Sequence, residues 1–394
     1  MTLIAPHPTV RVNPFDPPPE LAKYRQDEPV RRMRYPDGHI GWLVTSHALA
    51  RKVLADTRFS ARSEFKRAPV NRPGADPFYG APALPGWLVD MDAPEHTRLR
   101  QQLAGKFTAR RMREMRPRIE AIVDHVLAAM ADQGGPVDLV ASFALPVPSL
   151  VICELLGVPY EDRAEFQRNS EVLFSLTAAA DEASEAMDRL YDFLRRLSRE
   201  GGLGDGLLNL LAADGTLDAE EIAGVGVLLL TAGHESTSSS LALSTLALLA
   251  HPEQLAVFRD DPSITDNAVE ELLRHLSVFH FGVPRTPTED LEFEGHLMKA
   301  GESVTVSIPS ANRDAGWFTD PDRLDFTRKT SGHMAFGYGI HQCLGQNLVR
   351  MEMRTALPAL FRRFPGLALA VPPEEIPFAS DMSVYGVHRL PVTW

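Results

Sequence analysis

The 394-residue chain is 44% hydrophobic and 23% charged, a balance that allows a large buried core and excludes disordered or fibrous classes. Forty basic against 52 acidic residues give a net charge of −12, which speaks against nucleic acid as a partner. Cys153 and Cys343 are the only cysteines, too few for a disulfide framework or a four-cysteine metal site.

Met1 to Pro19 is proline-rich and polar, without an apolar core of signal-peptide or anchor length. It reads as an irregular arm ahead of one domain over 20–394. The longest strongly apolar stretch, Ile222 to Gly233, is too short to span a bilayer and runs into His234-Glu235, so a cytoplasmic protein with no membrane partner is expected. Leu21 to Asp27 reads as a short helix. Arg31–Tyr35 and His39–Val44 read as strands joined at the turn Pro36-Asp37-Gly38. Ser46 is placed to cap a helix to about Ala55. Ser63 to Leu88 is rich in Pro, Gly and Arg without periodicity, a long loop of the kind that usually serves function.

His96 and Arg100, four apart, share one helical face, a pair suited to a carboxylate ligand. Between Arg98 and Arg118 eight cations are opposed only by Glu114, a basic patch on an acidic protein. Helical periodicity covers Arg116–Ala131 and Leu145–Leu156, the latter closing at Gly157-Val158-Pro159. It resumes over Asp162–Glu200, with a break at Thr177–Ala180, and the glycine-rich connector Gly201–Gly206 follows. Asp218-Ala219-Glu220-Glu221 has capping-box spacing, and the helix it opens runs to about Leu249. Inside that helix, Ala232-Gly233-His234-Glu235-Ser236-Thr237 places an acid and hydroxyls where polar groups are costly unless bonded or functional.

Asp266 opens another helix, where Arg274 has Glu271 three residues before it and Glu270 four. Phe281 to Thr286 reads as extended chain. Pro372 to Trp394 reads as short strands, with Met382–Val387 able to reach a central site. Between them lies Phe336-Gly337-Tyr338-Gly339-Ile340-His341-Gln342-Cys343-Leu344-Gly345, just ahead of an amphipathic run to Phe364. Its glycines let the loop lie against a flat surface, and a cysteine at a helix N-terminus is favoured as thiolate. That is what an axial haem ligand requires.

The spacing Phe-x-x-Gly-x-His-x-Cys-x-Gly over 336–345 resembles the haem-binding loop of the cytochrome P-450 family, and the other motifs follow in family order along nearly the whole chain. The resemblance implies a mainly α, single-domain P-450 fold with a small β portion, in its soluble bacterial form. It implies haem b, with Cys343 as iron ligand in a cradle of Phe336, Gly337 and Gly345. His96, Arg100, Arg285 and His341 would hold its propionates, and Ala232 and Gly233 would lie against it. Glu235, Ser236 and Thr237 would deliver protons for oxygen activation. Ser236 stands where the family usually has threonine, keeping the hydroxyl but losing the methyl that restricts its rotamer. Glu271, Arg274 and Arg323, the last in Pro321-Asp322-Arg323-Leu324, would form a buried network bracing the loop. Leu88, Phe281, Val283 and Val384 would touch substrate.

The implied reaction is a monooxygenation with O2, using NAD(P)H electrons through a ferredoxin reductase and a ferredoxin docked on the basic patch. The chain looks like actinobacterial enzymes that tailor macrolide antibiotics, polyene macrolides in particular. Late C–H hydroxylation is the first expectation and epoxidation the second. Two other readings stay open. A peroxide-driven peroxygenase or decarboxylase of the same fold is opposed by the retained Glu235-Ser236. A non-catalytic haem sensor or carrier predicts no turnover with any electron source.

Overall fold

The Pro36-Asp37-Gly38 turn folds β1 (Val30–Arg34) back on β2 (Ile40–Val44), antiparallel, with Arg32 opposite Trp42. The computed structural model describes residues 4–75, 77–199 and 206–394, so most of the Gly201–Gly206 connector lies outside the described residues. Residues 4–18 contain no helix, and Asp16 ties this stretch to Arg313 at 3.0 Å. α1 (Pro19–Asp27) starts on a proline, whose missing N–H costs nothing in a first turn.

α2 (His47–Ala55) follows Ser46, but the Ser46 side chain makes no capping bond. The His47 N–H donates instead to Asp314 Oδ2 at 2.7 Å, 267 residues downstream. After β3 (Phe59–Ser60), the long loop contains single 3-10 turns at Ser63–Phe65 and Pro73–Ala75. α3 (Glu95–Ala104) carries His96 and Arg100. α4 (Ala109–Gln133) starts well before Arg116, because Thr108 accepts from the Arg111 N–H and caps it, and it tolerates Pro117 inside.

β4 (Val137–Asp138) precedes α5 (Pro146–Leu156), which ends at Gly157 in the left-handed conformation, φ 81°. α6 (Arg163–Phe174) and α7 (Ala180–Arg199) are separated at the expected break. α8 (Leu207–Asp214) leads into α9 (Ala219–Ala250), 32 residues opened by the Asp218–Glu221 capping box. At the standard rise α9 is about 48 Å long. α10 (Pro252–Asp260) and α11 (Thr265–Leu276) follow.

The remaining strands are β5 (Val283–Pro287), β6 (Leu291–Phe293), β7 (His296–Met298) and β8 (Val304–Val306). Then come α12 (Ile308–Ala311), α13 (Gln346–Arg363), β9 (Ala368–Leu369) and β10 (Pro391–Thr393). The main sheet has the order β1-β2-β8-β5-β3, with β2 and β8 parallel.

α9 is the axis of the helical body. Its last turns, Leu241 to Leu248, pack in one apolar cluster with α4, α5, α11 and α13. Its first turns, Ile222 to Leu230, pack in a second with α7, α8 and Trp87-Leu88. Each fully buried aliphatic side chain there is worth about 1.5–3 kcal/mol. Between the clusters, Thr231, Ala232, Gly233, Ser236 and Ser240 face a cavity. The polar segment of α9 therefore sits where the apolar core parts. Among the described residues no single helix is long and apolar enough to cross a membrane.

Candidate active site

The cavity, about 480 Å³, lies between α9 and the loop that precedes α13. Phe336, Gly337, His341, Cys343 and Gly345 all line it. The Cys343 N–H donates to the Phe336 carbonyl at 2.9 Å, closing the loop on itself. Gly339, at φ 77°, lets the loop press on α2: a Cβ there would lie 2.2 Å from the Leu54 carbonyl oxygen. Burial pushes the Cys343 thiol up, while backbone N–H groups of Gly345 and Gln346, at the start of α13, oppose that shift. A coordinated cation would complete the conversion to thiolate. Among the described residues no group of three or more His, Cys, Asp or Glu side chains converges as a metal cage. Cys343 is the one thiol on the cavity wall, which suits a metal that would arrive with most of its ligands already in place.

Two histidines and two arginines gather beside the loop. The His96 and His341 rings lie 4.1 Å apart, and neither nitrogen of His96 nor Nε2 of His341 has a partner. Arg285 is 5% exposed, and its Nη1 donates to the Pro284 carbonyl at 2.8 Å. Arg100 Nη2 donates to the Gln342 carbonyl at 2.5 Å. Burial and the neighbouring Arg285 hold His341 down at about 2, and burial brings Arg285 down to about 10. Burial and Arg100 lower His96. Such a set of desolvated donors fits an anionic ligand at the rim of a planar group, as two propionates would be.

Above the cavity, Ala232, Gly233 and Ser236 line the wall, followed by Ser240 and Ser244 on the same face of α9. The Ser236 hydroxyl donates to the Ala232 carbonyl at 3.0 Å. Gly233 also serves packing, since a Cβ there would lie 2.9 Å from Ile152 Cδ1 of α5. Glu235 is half-buried, and burial first, then Glu171, raises its carboxyl to about 7, with His388 opposing. Thr237 departs from expectation. It is fully buried, does not line the cavity, and donates to the Gly233 carbonyl at 3.2 Å. One residue along a helix is a turn of 100°, which carries its hydroxyl off the cavity face.

The bracing network forms with one substitution of partner. Arg274 Nε and Nη2 grip both Glu271 oxygens at 2.7 and 2.8 Å, and Arg274 Nη1 donates to the carbonyls of Asn312 and Pro321. The third side chain is Arg328, whose Nε reaches Glu271 Oε1 at 3.0 Å. Arg323 is exposed and contributes only its carbonyl oxygen. Glu270 joins a separate cluster with His333, Arg350 and Arg354. Of the expected substrate contacts, Leu88, Phe281 and Val283 line the cavity. Val384 does not; it is buried elsewhere, and its neighbour Ser383 faces the cavity. Both residues lie in a bend, where the turn of the chain carries the Val384 side chain off the cavity.

The family model "Cytochrome P450" matches residues 175–380. Cytochrome P450 105C1 of a Streptomyces species is 49% identical over the full length of both chains. Cytochrome P450-SU2 of Streptomyces griseolus is 47% identical over 97% of this chain and 94% of its own. The crystal structure of CYP105P1 in complex with filipin I superposes with a TM-score of 0.92 at 41% identity, covering 100% of this chain and 99% of that one. With a cysteine loop, a cation rim and a polar break in α9 arranged about one cavity, and end-to-end likeness to these proteins, the chain belongs to the cytochrome P450 family of haem monooxygenases.

Proposed function

We propose that this monooxygenase acts on a macrolide of the polyene class in antibiotic biosynthesis, by late C–H hydroxylation. The observation that carries the substrate class is full-length likeness to a structure solved with filipin I, together with a cavity whose wall is mainly apolar. Haem b, when bound, supplies the activation of O2. The chain's own residues prepare the site for it. Cys343 would offer its sulfur at the positive end of α13, and His96, Arg100, Arg285 and His341 would hold the propionates. Leu88, Phe281 and Val283 exclude water from the reacting face. Ser236 holds a hydroxyl on the cavity wall, and Glu235, neutral below about pH 7, stands beside it in sequence as a proton donor.

Electrons would come from NAD(P)H through a cytoplasmic ferredoxin reductase and ferredoxin. The test is a Soret-band titration of the ferric holoenzyme with a polyene macrolide lacking one late hydroxyl. The expected result is a saturable shift to the high-spin form, and turnover to the hydroxylated product with ferredoxin and NADPH. A shift with terpenoids or small macrolides but none with polyenes would discard the substrate class. An epoxide as product would replace the reaction type.

A further inference from the structure

Away from Cys343, the cations Lys66 and Arg72 of the 63–88 loop interrupt the apolar wall of the cavity. Arg72, from the 63–88 loop, lines the cavity beside Phe78, Leu173 and Phe174. Its guanidinium carbon lies 4.6 Å from the centroid of the Phe78 ring. One Nη donates to the carbonyl of Leu173, in the last turn of α6. These two contacts fix the plane of the guanidinium. Its Nε is buried and has no partner.

The other cavity cation of this loop is treated differently. Lys66 is paired with Asp90, and Asp90 Oδ2 also accepts from Trp87 Nε1 at 3.1 Å. Among the described residues, no carboxylate lies within ion-pair distance of Arg72. Burial lowers its pKa, with Tyr79 partly opposing. The guanidinium therefore has a carbonyl and a ring face for partners but no anion among the described residues, and a carboxylate in the cavity would supply one. Nor does Arg72 belong to the cation rim near His341. The charges that depress His96 and His341 are those of Arg100, Arg285 and Lys66, and Arg72 is not among them.

We propose that Arg72 is a substrate-recognition residue that pairs with a carboxylate, and that the natural substrate is an acidic amphipathic molecule whose apolar body extends from Arg72 toward Cys343. The proposal rests on the monooxygenase reading above and narrows its substrate class to macrolides bearing a free carboxyl group. A carboxylate matches the planar fork of the guanidinium. Anchoring one end of a large substrate at Arg72 also decides which carbon faces the haem pocket, so the same contact sets regiochemistry.

The test uses ferric holoenzyme and Soret titrations with a carboxylated polyene macrolide and its methyl ester. A reduced-CO spectrum of each variant serves as the control for a folded haem site. In the natural sequence the acid should bind at least about tenfold more tightly than the ester, the equivalent of about 1.4 kcal/mol. Arg72→Gln should bring the acid to the ester's affinity, and Arg72→Lys should restore part of the difference. Equal affinities for acid and ester in the natural sequence would overturn the proposal while leaving the macrolide reading in place. If neither macrolide shifts the band, a long-chain fatty acid and its methyl ester form the second pair. Preference for that acid, lost in Arg72→Gln, would sustain the carboxylate site and discard the macrolide. No preference in that pair would overturn the carboxylate site as well.

Discussion

Arg274 and Glu271 are both completely buried and meet through two hydrogen bonds of 2.7 and 2.8 Å, three residues apart on α11. The pair is held from outside by Arg328, and through Arg274 it ties α11 to the segment that follows α12. Removing one partner leaves the other charge buried and uncompensated, at a cost of about 3–5 kcal/mol. Glu271→Ala should therefore give little holoenzyme, measured as the reduced-CO signal per mole of protein. Arg328→Ala should destabilise by about 1–3 kcal/mol in denaturant unfolding, and Arg323→Ala by less than about 0.5 kcal/mol, as for an exposed side chain. Equal losses for Arg323→Ala and Arg328→Ala would show that the third arginine is misassigned.

Much of this arrangement is readable in local sequence, and its exceptions share a cause. The Asp218 capping box, the left-handed Gly157 and the Phe336–Gly345 loop are set by residues within a few positions of one another. Arg328 is different: it and Arg323 lie in one irregular segment, and only the tertiary path decides which side chain turns inward. Asp314 displaces Ser46 as the cap of α2 for the same reason, since its reach spans most of the chain. Thr237 and Val384 each miss the cavity by one residue, the first along a helix and the second in a bend. α4 begins early because Thr108 caps a first turn whose residues, rich in arginine, carry little apolar periodicity. Arg72 has no sequence signal at all; its isolation from carboxylates among the described residues exists only in the folded loop.

Glu235 makes stability depend on pH in a calculable direction. Its folded carboxyl is pushed up to about 7 from the ordinary glutamate value of 4.5, chiefly through burial. Below 4.5 the group is neutral in both states and costs nothing. As pH rises from there to about 7, the unfolded chain ionises first, so the fold loses stability, reaching a plateau above 7. At about 1.4 kcal/mol per unit, the loss is about 3 kcal/mol. Glu235→Gln should remove this slope, and the variant should be more stable than the natural sequence at pH 8 while matching it at pH 4.5. Parallel denaturant midpoints across that range would exclude the raised carboxyl. Coupling of NADPH use to product should fall above pH 7 in the natural sequence and lose that inflection in the variant.

The cavity face of α9 separates two adjacent hydroxyls. Ser236 lines the cavity and Thr237 does not, so only the first can order water there. Ser236→Ala should keep substrate affinity and divert most reducing equivalents to hydrogen peroxide, read as peroxide per NADPH consumed. Thr237→Val should leave that ratio unchanged and cost about 1 kcal/mol for the lost hydrogen bond to Gly233. Uncoupling by Thr237→Val with none from Ser236→Ala would reverse the assignment.

The start of α4 lies against the cysteine loop, because Asn347 Nδ2, in the first turn of α13, donates to the Phe107 carbonyl at 3.0 Å. Many arginines that follow are already neutralised: Arg110 and Arg111 share Glu114 at 3.1 and 3.2 Å, Arg116 meets Glu120, and Arg118 meets Glu154. Arg113 is exposed and meets no carboxylate among the described residues, and Arg110 and Arg111 together exceed Glu114 by one charge, so the net positive field of this face rests on these three side chains. An acidic ferredoxin docking there would be steered by that field, which is screened over about 10 Å at 0.1 M salt. The double variant Arg110→Glu, Arg113→Glu should slow ferredoxin-supported reduction about tenfold at low ionic strength, measured by stopped flow under CO. The deficit should shrink as salt is raised, while reduction by dithionite stays the same. A deficit that ignores salt would place the effect in the fold of α4, and an unchanged rate would leave these arginines as a solvated helix face.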